Sequence, residues 1–151
     1  MRRWTTGVAV VTSSDEAGPR GATTNALTSL SLEPPLVLVA LDRGSNTLEA
    51  VRGSGRFCVN VLAAGQEELA RRFATKASGE EKLAGVPHDL AQGMPVLEDV
   101  LAWLACSLEQ ELDGGDHAIL IGRPLEAGGD RETQPLVFFG GRYHAATLDP
   151  L

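Results

Sequence analysis

Aromatic residues make up only 5% of this 151-residue chain, so any site that stacks a ligand on rings has few rings to use. Cysteine is scarcer still. Cys58 and Cys106 stand far apart with no CxxC spacing, which argues against a zinc ribbon or a thioredoxin-like motif. Both read as buried thiols of a reducing compartment. Positive charge is also short: 13 Lys and Arg against 20 Asp and Glu leave a net charge of −7 and a pI near 4.9. Such a balance repels phosphate backbones and excludes nucleic acid as a partner, while a small anion held by a few cations stays compatible. No run approaches the ~20 apolar residues of a membrane span. The twin arginine Arg2–Arg3 is followed only by the short run Val8 to Val11, too little for an export signal. These absences predict a cytoplasmic protein with no membrane partner. His, Cys and carboxylate spacings give no metal site, and no Rossmann or P-loop glycine motif occurs.

What remains is an ordinary globular balance, 43% apolar and 22% charged, in a length suited to one domain over residues 1–151. Short β-rich runs dominate. GVAVVTS (7–13) reads as a strand, DEAGPR as a turn, and GATTNALTS as a second strand that becomes irregular. The continuous run LVLVAL (36–41) predicts a strand buried on both faces. RFCVNVL (56–62) has the period of a strand with two different faces. WLACSLEQEL (103–112) places Leu104, Cys106, Leu108 and Leu112 inward and Glu109 and Glu111 outward. HAILIGRPLEA (117–127) and PLVFFGGRYH (135–144) complete the strands. Two stretches carry helical spacing. SNTLEAVRGSG predicts a helix capped by Asn46 and stopped at Gly53, and QEELARRFATK one with Leu69 and Phe73 on a single face. EAGGDRETQ reads as a mobile loop. The fold class is mainly β, a small barrel with short helical insertions.

Four stretches are candidates for chemistry. TTNALTSLS, residues 23–31, concentrates hydroxyl and amide groups that either satisfy their own backbone or line a polar ligand. Ser45, Asn46 and Thr47 precede a helix whose free N–H groups either carry a simple cap or receive a phosphate. Arg71, Arg72 and Lys76 form a basic group that is either a solvated helix end or an anion contact. In the turn Gly114–Gly115–Asp116–His117 the imidazole is either a surface histidine or a donor to a ligand.

Taken in order, RRWTTGVAVVTS, GATTNALTSLSLEPPLVLVAL, SNTLEAVRGSGRFCVNVL, LARRFA, GDHAILIGRPLE and PLVFFGGRYH resemble the flavin reductase-like family over nearly the whole chain. The resemblance implies a homodimeric split β-barrel that binds FMN or FAD. It implies hydride transfer from NADH or NADPH and delivery of reduced flavin to a partner monooxygenase. By the same resemblance Thr24, Asn25, Ala26, Ser29 and Ser31 would line the flavin. Ser45, Asn46 and Thr47, with Arg72 and Phe73, would hold its phosphate end. Asp116 and His117 match a turn associated with the nicotinamide nucleotide, which makes His117 the catalytic candidate, and Tyr143 and His144 match a closing pair near the site. Ala26 departs from the serine of many relatives, removing one hydrogen bond worth about 0.5 to 1.5 kcal/mol. The alternatives are a flavin carrier or electron-transfer protein, and an FMN enzyme acting directly on an organic substrate.

Overall fold

The computed structural model describes residues 2–129 and 132–146. In chain order the elements are β1 (Thr6–Gly7), β2 (Ala9–Asp15), β3 (Gly18–Thr24), β4 (Leu27–Leu32), β5 (Pro35–Asp42) and α1 (Asn46–Ser54). There follow β6 (Arg56–Val61), α2 (Glu67–Phe73), α3 (Gly79–Leu83), β7 (His88–Ala91) and β8 (Met94–Leu97). The chain continues through β9 (Ala102–Gly114), β10 (His117–Gly128), β11 (Leu136–Phe139) and β12 (Arg142–Ala145). Seven strands form one antiparallel sheet in the order β3-β2-β6-β9-β10-β5-β4, flanked by a three-stranded sheet β1-β11-β12 and the hairpin β7-β8.

β3 and β4 lie at opposite edges of this sheet, yet only Asn25 and Ala26 separate them in the chain. The sheet must therefore curl until its edges approach. Thr24 Oγ1 donates to the Ala40 carbonyl of β5 at 3.1 Å, and the Ala40 amide donates to the Ala26 carbonyl at 3.0 Å. The concave side encloses Val11, Val39, Leu41, Phe57, Val59 and Leu120, and α1 packs Leu48 and Val51 into the same core. Burying one such large side chain contributes about 1.5 to 3 kcal/mol. Gly122 is required here: a Cβ on it would stand 2.3 Å from Phe57 Cζ. A second core, with Val8, Val10, Leu62, Phe73, Leu97 and Leu136, joins α2 and β11 to the sheet.

Local chemistry explains where the helices stop. Ser45, not Asn46, caps α1, its Oγ accepting from the Thr47 amide at 3.2 Å. Gly55, not Gly53, ends it in the left-handed conformation at φ 68. Ser78 and Glu81 form a reciprocal capping box on α3.

Several strand expectations are corrected. GATTNALTS is not one strand but the end of β3, a two-residue link and the start of β4. LVLVAL alternates: Val37, Val39 and Leu41 are buried, whereas Leu36 and Leu38 are half-buried beside the edge strand β4. On β9 the residue opposite Ile121 is Gln110 and that opposite Gly122 is Leu108, so Glu109 is an extra residue. This bulge breaks the alternation, and Leu112 is left exposed. PLVFFGGRYH is a hairpin, β11–β12, turning on Gly140 and Gly141, both at positive φ. Of the expected loop 126–134, the first residues extend β10 and residues 130–131 lie outside the described residues.

The hairpin β7–β8 covers the convex face through Met94 and Val96, which pack on Cys58 and Ala105. Its attachment is polar. The buried Asn60 amide donates to Val10 O and to Thr12 Oγ1, each at 3.1 Å, and its Oδ1 accepts the Leu97 amide at 2.9 Å. Both cysteines are buried and free. Burial pushes each thiol up to about 12. No helix among the described residues is long and apolar enough to cross a membrane.

Candidate functional site

A cleft of about 750 Å³ opens where the two sheet edges meet. One wall is the β3–β4 link, with Thr23, Thr24, Asn25 and Ala26. The second is the end of β5 and the start of α1, with Asp42, Gly44, Ser45 and Asn46. Facing them is the segment that leaves α2, Phe73 to Ala77, together with Lys82. His117 borders one end, and Phe138 and Tyr143 stand at the rim.

The threonines divide their duties. Thr23 Oγ1 donates to the Ala70 carbonyl of α2 at 2.6 Å, and Thr24 Oγ1 ties β3 to β5 while accepting from the Ala26 amide at 3.0 Å. Their hydroxyls hold the wall in shape. Asn25 is exposed and its amide has no partner among the described residues, which leaves it free for a ligand. Phe73 is placed by a missing side chain: a Cβ on Gly21 would lie 2.6 Å from Phe73 Cε1.

The histidine turn is fixed from outside. The Arg43 amide donates to the Asp116 carbonyl at 3.0 Å, and Arg43 Nε donates to the Gly115 carbonyl at 2.7 Å. The same guanidinium pairs with Asp113, whose pKa is lowered by the Gly115 amide first and by Arg43 second. His117 Nδ1 lies 2.7 Å from Asp116 Oδ1, and the hydrogen bond to the imidazole holds the Asp116 carboxyl below its usual range. Asp116 itself points to solvent. The imidazole, half-exposed, is therefore oriented at the cleft by a carboxylate behind it. At the rim Tyr143 packs against Phe138 with ring centroids 5.3 Å apart, and the Arg71 guanidinium lies 5.2 Å from its ring centre.

Of the residues expected at the site, Thr24, Asn25, Ala26, Ser45, Asn46, Phe73, His117 and Tyr143 border one cleft. The others stand elsewhere. Ser29 and Ser31 continue along β4 beyond the cleft. Thr47 is fully buried, and its Oγ1 has no hydrogen-bond partner among the described residues. Arg72 donates to the carbonyls of Glu81 and Ala84, so its charge braces α3 and does not face the cleft. His144 Nε2 lies 3.1 Å from the Phe139 carbonyl, within its own hairpin. Sequence reasoning missed Arg43 and Lys82. The first is invisible because its targets are backbone carbonyls more than seventy residues away. The second sits among Glu80 and Glu81, a pattern that reads as a solvated surface.

Residues 1–147 match the family model described as "Flavin reductase like domain". The chain is 39% identical over 144 residues to the "Flavin-dependent monooxygenase, reductase subunit HsaB" of Rhodococcus jostii, covering 95% of this chain and 73% of that protein. It is 45% identical over 120 residues to a "Probable flavin reductase" of Rhizobium meliloti, covering 78% of this chain but only 38% of that protein's length. Among solved structures, the "NADH:FAD oxidoreductase SgcE6" of Streptomyces globisporus superposes with a TM-score of 0.90 at 34% identity, covering 97% of this chain and 89% of that one.

Proposed function

The chain belongs to the flavin reductase like family, and from that membership we infer that it is an NAD(P)H:flavin oxidoreductase that supplies reduced FMN or FAD to a partner monooxygenase. The observation that carries this reading at the level of residues is the meeting of Asn25, Phe73 and His117 around one cleft. The cleft suits the ligand. It has a free amide at the β3–β4 link, the rings of Phe138 and Tyr143 at its rim, and the amide end of α1 for an anionic tail.

A bound flavin supplies the redox chemistry, accepting a hydride from the nicotinamide. The protein's own part is placement. Asn25 would hold the polar edge of the ring system, and Ser45 and Asn46 would hold the tail. His117, held through Nδ1 by Asp116 and by the Arg43-anchored turn, presents its other ring nitrogen to the nicotinamide nucleotide as a hydrogen-bond partner. A shift of about an ångström in that alignment costs roughly a hundredfold in rate.

The barrel is a split one, and two copies form the working unit. Support comes from the edge strand β4, where Leu32 is 83% and Leu30 is 45% exposed, a pair of large apolar groups on a strand paired along one side. Steady-state NAD(P)H oxidation with added FMN or FAD tests the activity. Flavin binding without NAD(P)H oxidation would support the carrier reading instead.

A further inference from the structure

We propose that Lys82 is the anion-binding residue of the cleft and that it holds the ribityl phosphate of the flavin, a role that rests on the flavin reductase reading. Lysine is almost never fully buried unless paired, yet Lys82 retains only 5% of its exposure. No carboxylate pairs with it among the described residues. Its Nζ donates to two backbone carbonyls, Gly21 O at 3.1 Å and Phe73 O at 3.3 Å. An ammonium carries three donors, so one remains, and Lys82 borders the cleft. A buried charge with a spare donor facing a cleft is incompletely compensated until an anion arrives. Desolvation already lowers the Lys82 pKa, the direction expected of a cation short of a counter-charge.

The position selects the phosphate over other parts of the ligand. Arg20 and Gly21 are neighbours on β3: Arg20 Nη1 donates to the Asn46 carbonyl at 3.0 Å, and Gly21 O receives Lys82. One short piece of strand therefore contacts both the first turn of α1 and the buried ammonium, and Ser45, Asn46 and Lys82 border one cleft. The other cations nearby are engaged: Arg71 with Glu67, Arg72 with two carbonyls, Arg20 with Asp15 and Glu49. Lys76 also borders the cleft but is exposed, and a charge in water contributes less than one in a desolvated place.

The test compares FMN with riboflavin, which lacks the phosphate, by fluorescence titration of wild-type protein and of Lys82→Met, whose unbranched side chain preserves much of the packing. The variant should bind FMN about 10- to 100-fold more weakly and riboflavin within about twofold, the range of a hydrogen bond to a charged group. Equal losses for both ligands, or unchanged FMN binding, would overturn the assignment. A second measurement needs no variant: inorganic phosphate, at ionic strength matched with chloride, should weaken FMN binding to the wild-type protein and leave riboflavin binding unchanged. Phosphate without effect on FMN would also overturn it. Wild-type protein that binds FMN and riboflavin equally refutes the role of Lys82 alone, whereas protein that binds neither refutes the flavin reading and this proposal together.

Discussion

Arg43 and Gly115 are joined by a 2.7 Å hydrogen bond from the guanidinium Nε to the carbonyl, across the gap between the β5–α1 loop and the β9–β10 turn. With the Arg43 amide bound to the Asp116 carbonyl, this contact makes the turn that presents His117 part of the same wall that presents Ser45. His117 and the α1 cap Ser45 are thus held in one wall by the single residue Arg43.

His117→Ala should lower kcat/KM for the reduced nicotinamide nucleotide by about 10- to 100-fold and leave the flavin Kd within about twofold, because only one ligand loses its contact. Stopped-flow and flavin titration on the same preparation check it. A tenfold loss of flavin affinity with normal turnover at saturating flavin would reassign the turn.

Arg43→Ala should act through the histidine. We expect a rise in KM for the nicotinamide nucleotide of about threefold to tenfold, and no further loss when the substitution is combined with His117→Ala, since coupled residues are non-additive. Fully additive effects in the double-mutant cycle would mean that Arg43 works by another route.

Asn60→Ala should destabilise the fold by about 2 to 4 kcal/mol. It removes bonds to Val10 O and Thr12 Oγ1 and takes the Asn60 Oδ1 acceptor from the Leu97 amide, while Thr12 Oγ1 keeps its bond to the Pro95 carbonyl. Urea unfolding measures the loss; a change below about 1 kcal/mol would show that water replaces the amide.

The two thiols should resist alkylation at pH 8 until the protein unfolds, because burial pushes both from 9.0 up to about 12. The same shift has a consequence for stability. Above pH 9 the unfolded chain loses thiol protons that the folded chain keeps, so stability should fall as pH rises from 9.0 toward about 12. Replacing both cysteines by alanine should flatten that part of the curve. A native protein that reacts stoichiometrically with a maleimide within seconds would contradict the burial.

Leu32→Asp should abolish the proposed two-copy assembly in sedimentation while leaving the far-ultraviolet spectrum unchanged, since Leu32 is 83% exposed. A dimer that survives the charge would move the interface off β4.

Most of the strand pattern was legible because alternation and turn residues are local signals. The segment Thr24–Ala26 and the histidine turn were legible for the same reason: each is a contiguous stretch with distinctive side chains. What escaped is non-local. The hairpin β7–β8 has strands of four residues interrupted by Gly93 and Pro95, too short to show a period. The bulge at Glu109 changes the outlook of Leu112 without any glycine to announce it. Arg72 is singled out in the sequence and Lys82 is not, and burial tells them apart. A lysine ten residues further on reaches Gly21, while the arginine nearer to the motif turns to the carbonyls of α3.

Ala40 is gripped from both sides, its amide by Ala26 and its carbonyl by Thr24, whereas residues 74–78, across the cleft, belong to no strand or helix. The two walls are therefore held differently, one by a strand ladder and the other by a span outside every helix and strand. In hydrogen exchange, ligand should slow the amides of Lys76 and Ala77 far more than that of Ala40, and shortening or stiffening this span should change how fast reduced flavin leaves for its acceptor without changing how tightly it is oriented.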